Sequence, residues 1–195
     1  MKRIASIQDV SCLGRCSQTV ALPVVSAMGV ECAILPTAVL SAHTSFPDFV
    51  CTDLTDSLLP TARHWKAQGV HFDALYTGYL ASDRQVSVVL ELLEQLREDD
   101  SLLLEDPAMA DHGRLYSGFG PEFPALMAQV VSKARITVPN ITEASLMTGM
   151  PYREDYDEGY IRSLLQGVAA LGAEKVVLTG VSLEKDTIGF MSYDS

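Results

Sequence analysis

Asn140 and Glu143, in "VPNITEA" (138–144), set an amide and a carboxylate three residues apart between a strand-like apolar run and a helix-like one. That spacing supports two chemistries. Asn is a favoured helix N-cap, and Glu three positions on completes a capping box. The same carboxylate, projecting from a helix start beside other strand ends, can bind Mg²⁺ directly or through water. "EDPAMAD" (105–111) adds Asp106 directly after an apolar run and Asp111 five residues on, with Pro107 stiffening the exit. Each carboxylate could simply cap or stay solvated. Gathered near Glu143, they would repel unless a divalent cation or hydrogen bonds offset the charge, as in a metal and polyphosphate site.

Other polar residues fall at similar places. Asp9 closes "SIQD" (6–9), and His43 with Thr44 follows an apolar stretch in "LSAHTSF" (40–46). No H-E-x-x-H occurs among His43, His64, His71 and His112, so a zinc site is not expected. Thr44 can contact a small polar ring or bond its own backbone. In "YTGYL" (76–80), Thr77-Gly78 ends a strand tightly, and Tyr79 can stack on a flat substrate or pack on a neighbouring loop. "LTGVS" (178–182) repeats the device with Thr179 and Gly180, a plausible backbone approach to nucleotide phosphates.

The elements that must hold these residues alternate in kind. "RIASI" (3–7), "ECAIL" (31–35), "DALYTG" (73–78), "SLLLED" (101–106), "RITV" (135–138) and "KVVLTG" (175–180) read as short buried strands of a parallel sheet. Helical spacing is clearest over 83–97, where Val86, Val89, Leu90, Leu93 and Leu96 repeat behind a Ser82…Gln85 capping box. A second helix is expected from about Asp157 to Leu171, with Ile161, Leu164, Leu165 and Val168 inward and Gly172 as the stop. Strand and helix in alternation predict an α/β layered fold, in which ligands bind beyond the carboxyl ends of the strands. One domain is expected, since no repeat, low-complexity tract or linker interrupts the chain.

Composition narrows the partners. The chain carries 14 basic and 25 acidic residues, a formal charge of −11, which argues against nucleic acid or an anionic membrane surface. An anionic substrate would need a cation or backbone N–H groups. No run approaches the ~20 apolar residues of a membrane span, and the opening "MKRIASIQDV" lacks a signal-peptide core. Cys12, Cys16, Cys32 and Cys51 form no C-x-x-C pair, so loop or buried thiols in a reducing cytoplasm are expected. The P-loop, G-x-S-x-G and G-x-G-x-x-G patterns are absent.

Taken in order, "SIQD", "GRCSQTVALPVVSAMGVECAILPT" (14–37), "LSAHT", "TGYL", "EDPAMAD", "VPNITEASLMTG" (138–149) and "VVLTG" (176–180) resemble the pyridoxal/pyridoxamine kinases of the ribokinase-like superfamily. The resemblance spans essentially the whole chain. It implies a three-layer α/β/α sandwich with a mostly parallel central sheet. It also implies transfer of the γ-phosphoryl group of ATP to the 5′-hydroxymethyl of pyridoxamine, pyridoxal or pyridoxine in vitamin B6 salvage. Mg²⁺, a monovalent cation such as K⁺, and a homodimer come with it. By position, Asp9, Thr44 and Tyr79 resemble substrate-pocket residues with His43 adjacent. Asp106, Asp111, Asn140 and Thr179 resemble nucleotide-site residues, and Glu143 with Asp106 the metal ligands.

Two departures stand out. Many relatives have Ser where Asp9 stands; a carboxylate there would pair with the protonated amine of pyridoxamine, so a pyridoxamine preference is expected. The family's Gly-Thr-Gly-Asp segment, source of the catalytic base and of an anion hole, does not occur in the 195 residues. Asp194 is not preceded by Gly-Thr-Gly, so no catalytic residue is assigned. The expectation is a sequence whose C-terminal part is missing, cut from a longer kinase. The alternatives are a hydroxymethylpyrimidine kinase on the same scaffold, or a non-catalytic B6- or nucleotide-binding module if the chain truly ends at 195.

Overall fold

The structure is a computed structural model, and it describes residues 1–194. The chain forms two compact units, one spanning Met1–Leu103 and the other beginning at Leu104.

In the first unit, β1 (Arg3–Ser11), α1 (Gln18–Ala27), β2 (Glu31–Leu40), β3 (Cys51–Asp53), α2 (Thr55–Ala67), β4 (Ala74–Thr77) and α3 (Asp83–Leu96) follow in order. β1 pairs in parallel with both β2 and β4, and β3 runs antiparallel along β2. α1 packs on β1 and β2, while α2 packs on β2 and on α3. α3 starts where Ser82 Oγ accepts the Gln85 N–H at 3.2 Å. Its buried stripe is Val86, Val89, Leu92, Leu93 and Leu96. Leu92 thus takes the inward place expected of Leu90, which is half-buried, because the buried face of α3 is turned toward the flank that carries Gln85 and Leu92. Nor does the Gln85 side chain close the expected capping box on Ser82. It accepts from Ala81 N instead, at 2.7 Å.

The second unit is assembled from β5 (Leu102–Glu105), of which Leu104 and Glu105 belong to it, β6 (Ala110–Asp111), β7 (Arg114–Leu115), α4 (Phe123–Val131) and β8 (Ile136–Thr137). α5 (Ile141–Thr148), α6 (Glu158–Ala169), β9 (Lys175–Val181) and β10 (Gly189–Asp194) complete it. β5, β8 and β9 are parallel neighbours, β10 returns antiparallel on β9, and β6–β7 is a separate hairpin. α6 packs against α5, β9 and β10. Its N-cap is Asp157, which accepts from Tyr160 N at 2.8 Å, and its inward face carries Tyr160, Ile161, Leu164, Leu165 and Val168. Each unit buries its own core, around Leu58, Leu75 and Val89 in the first and Phe123, Met127, Ile161 and Leu164 in the second.

Two expected strand-end residues lie inside strands. Asp9 sits within β1, where the register against β2 slips between Gln8 and Val10. Such a bulge redirects a side chain without ending the strand. Thr179 lies within β9; there Gly180, at φ 71°, is passed over by the β10 pairing, which steps from Val181 to Thr179. A left-handed residue at a bulge is a glycine position.

Candidate active site

In the second unit the acidic residues gather around the start of α5. The cap there is reciprocal. Asn140 Oδ1 accepts from Glu143 N at 2.9 Å, and Glu143 Oε2 accepts from Asn140 N at 2.8 Å. Glu143 Oε1 takes a second backbone donor, Met109 N, at 3.1 Å. Asn140 Nδ2 donates to Ala110 O at 2.8 Å, tying the helix start to β6. Thr179 joins through the backbone, since its N–H donates to Pro139 O at 2.9 Å and it bridges Asn140.

Burial governs the charge state of this cluster. Desolvation pushes Glu143 up to about 8, against the opposing effect of the Asn140, Met109 and Ala110 backbone bonds, with the Asp106 charge adding to the rise. Desolvation alone raises Asp106 to about 6. Glu105 was not anticipated. It is fully buried, held well above the ordinary carboxyl range by desolvation, and feels both Asp106 and Glu143. One of its oxygens accepts from Thr137 Oγ1 at 2.6 Å, and the other, Oε1, has no partner. The signal in the sequence was a lone acid at the end of the apolar run "LLLE" (102–105), which is costly unless it is neutral or paired. Asp111 stands apart: it is exposed on β6, accepts from His112 N at 2.8 Å, and does not enter the electrostatics of Glu143.

Among the described residues, no three His, Cys, Asp or Glu side chains are arranged to hold a metal by themselves. The donor chemistry nevertheless suits Mg²⁺. Asp106 and Glu143 offer hard oxygen atoms, and Mg²⁺ commonly takes one or two carboxylates and completes its shell with water and phosphate. Both Glu143 oxygens already accept backbone N–H groups, which favours contact through water.

The first unit carries a different polar group. Asp9 is buried, and its Oδ2 accepts from Ser11 Oγ at 2.9 Å. Tyr79 follows β4, its hydroxyl pushed up to about 12 by burial and by the Asp9 and Cys51 charges. Cys51, at the start of β3, is raised by burial and by the Asp53 and Asp9 charges, which puts it in the same neighbourhood. Gly78 lets the strand end close on β1, because a Cβ there would meet Gln8 Oε1 at 2.9 Å. His43 and Thr44 lie on the loop after β2. The His43 N–H donates to Leu13 O at 3.0 Å, and its ring meets Phe46 edge-on at 4.8 Å. Gly14, at φ 137°, lies so close that a Cβ would sit 2.6 Å from His43 Cδ2. The four thiols are all free.

A mostly parallel α/β fold with polar groups in and after its strands, and acids clustered at a helix start, is the layout of a ribokinase-like protein. Residues 22–193 match the family described as phosphomethylpyrimidine kinase. The chain belongs to this family, on the pyridoxal kinase side of it. A Bacteroides thetaiotaomicron protein described as a phosphomethylpyrimidine kinase, solved with pyridoxal, is 37% identical at a TM-score of 0.93, over 99% of this chain and 68% of that one. The pyridoxal kinase of Lactobacillus plantarum is 35% identical at a TM-score of 0.88, over 100% of this chain and 69% of that one. The pyridoxal kinase of Dictyostelium discoideum is 25% identical over 189 residues, 92% of this chain and 60% of its own length. The chain therefore spans at most 60% of the length of these curated pyridoxal kinases.

Proposed function

We propose that the protein is an ATP- and Mg²⁺-dependent kinase that phosphorylates the 5′-hydroxymethyl group of a B6 vitamer, and that residues 1–195 form one catalytic domain or most of it. The observation that carries this reading is the reciprocal Asn140–Glu143 cap with the Asp106 carboxyl beside it. Pyridoxal kinases among its relatives, one related structure holding pyridoxal, support the choice of substrate.

In this reading Asp106 and Glu143 hold Mg²⁺, which neutralises the charge on the transferring phosphates. In a chain with net charge −11, nucleotide phosphates need that cation. Asn140 fixes the orientation of α5, and Thr179 and Asp111 line the nucleotide site. Asp9, Thr44 and Tyr79 bind the vitamer, with His43 adjacent. Tyr79 stacks on the pyridine ring, and the Asp9 carboxylate holds the protonated amine of pyridoxamine. Positioning and electrostatics supply most of the catalysis in phosphoryl transfer, so these residues bear on rate as well as affinity. K⁺ is proposed as a further activating ion. Catalytic base is a role left unassigned to any residue of the chain, Asp194 included.

We assign the dimer contact of this kinase to α1. Its Val20, Leu22 and Val24 are exposed, as is Met28 just beyond its end, and residues 16–30 carry no charge, so two acidic copies can meet there without repulsion. The free thiols suit a reducing cytoplasm. Among the described residues no helix is long and apolar enough to cross a membrane.

The test is to supply the intact protein with Mg-ATP and pyridoxal, pyridoxamine, pyridoxine or hydroxymethylpyrimidine, and detect the phosphate ester by mass spectrometry. Esters of the vitamers support the reading. Turnover of the pyrimidine alone would assign the hydroxymethylpyrimidine kinase instead. Binding of a vitamer without turnover would make the protein a B6-binding module.

A further inference from the structure

The Gln85 side chain makes three hydrogen bonds inside the first unit. It lies in the first turn of α3 and is 0% exposed. Its Nε2 donates to Thr37 O at 3.0 Å and to Thr55 Oγ1 at 2.9 Å. Its Oε1 accepts from Ala81 N at 2.7 Å. Both amide N–H groups and the carbonyl are therefore engaged, with three partners on three different segments: β2, the start of α2, and the loop between β4 and α3.

That loop carries Tyr79. It is pinned at its β4 end by Gly78 N, which donates to Ile7 O at 3.2 Å. At its α3 end the fixed point is the Ala81–Gln85 bond. Thr37, whose carbonyl Gln85 also holds, reaches the same loop through a long 3.5 Å contact from its hydroxyl to Tyr79 O. Asp53 steadies the third partner, because Thr55 N donates to its Oδ1 at 2.6 Å. A helix cap alone would need none of this. The Gln85 backbone N–H already satisfies Ser82, and an N3 side chain turned back on the helix would leave Thr37 and Thr55 untouched.

We infer that Gln85 is a positioning residue for the Tyr79 loop and so a determinant of vitamer affinity, acting without touching the ligand. The inference rests on the reading above that Tyr79 faces the vitamer. A buried amide with both N–H groups and its carbonyl engaged holds its partners in one arrangement, and losing it leaves buried groups unpaired and the loop free to shift. Shifts of about 1 Å at a binding surface are enough to weaken a stacked contact severely.

The experiment measures dissociation constants for pyridoxal and for Mg-ADP by calorimetry on the intact protein. Gln85→Met, which removes all three bonds at similar length, should weaken pyridoxal at least about tenfold and leave Mg-ADP within about twofold. Gln85→Glu keeps the acceptor for Ala81 and should lose less. It also carries the test if the Met variant does not accumulate. Combining Gln85→Met with Tyr79→Ala should cost no more than Tyr79→Ala alone, the non-additivity expected of residues acting through one contact. Unchanged pyridoxal affinity in both Gln85 variants, an equal loss for both ligands, or simple additivity in the double variant would overturn the inference. If Tyr79→Ala alone leaves pyridoxal binding intact, the vitamer reading of Tyr79 is what fails.

Discussion

Glu105 and Thr137 face each other across neighbouring parallel strands, and the Thr137 hydroxyl donates a 2.6 Å hydrogen bond to the Glu105 carboxyl. The pair puts an acid where an apolar side chain would normally complete the core. It is tolerable because burial favours the neutral form of Glu105 and the hydroxyl satisfies one oxygen. Asp106 and Glu143 are pushed up beside it, so the second unit holds three carboxyls whose folded state favours the proton.

That arrangement has a definite pH signature. A carboxyl whose pKa is raised on folding stabilises the fold while protonated, and the contribution is lost as pH rises from the unfolded value of about 4 through the folded one. With Asp106 at about 6 and Glu143 at about 8, the metal-free protein should melt at progressively lower temperature from pH 5 to pH 8. Scanning calorimetry should show Glu143→Gln flattening the upper part of that slope. Mg²⁺ with nucleotide should restore more stability at pH 8 than at pH 6. A melting temperature that climbs across the window would contradict the assignment.

The α5 cap can be taken apart stepwise. Asn140→Ala removes the acceptor for Glu143 N and the tie to Ala110, and should cost about 1–2 kcal/mol, or roughly 2–8 °C in melting temperature. Asn140→Ser keeps a cap oxygen and should recover about half of that in denaturant unfolding. Glu143→Gln should keep most of the stability but weaken Mg-ADP at least about tenfold, because a metal-binding charge is lost while an acceptor oxygen remains. Equal nucleotide affinity in wild type and Glu143→Gln would exclude Glu143 from the metal site.

Asp9 tests the vitamer preference. Buried at the β1 bulge and held by Ser11, it can offer a charge-assisted bond to the protonated amine of pyridoxamine but not to the aldehyde of pyridoxal. Asp9→Ser should therefore weaken pyridoxamine by about tenfold or more and pyridoxal much less, read as dissociation constants or KM values. The same loss for both vitamers would rule out a pyridoxamine-selective role.

How far these features could be read from the chain depends on how local they are. The Asn140–Glu143 box needs only residues three apart, and it forms as the spacing implies. The helix over 83–97 and that from Asp157 showed their period directly, and the apolar runs marked strands to within a few residues. Leu92 and Leu90 exchanged roles because the direction in which α3 turns its buried face is decided by what packs on it, which spacing does not encode.

The sequence by itself determined six of the strands, the helices α3 and α6, the Asn140–Glu143 cap and the positions of the candidate acids, all set by dihedral preference, periodicity and turn chemistry over a few residues. Tertiary structure alone decided which of those acids are dry and which meet. Glu105 finds its hydroxyl partner 32 residues away, and Gln85 finds carbonyl and hydroxyl partners 48 and 30 residues away. Asp106 turns toward Glu143 while Asp111 turns to solvent, although both sit in one seven-residue stretch. Desolvation is a property of everything packed around a group, and it sets whether a carboxyl is a solvated charge, a cap or a proton-holding acid.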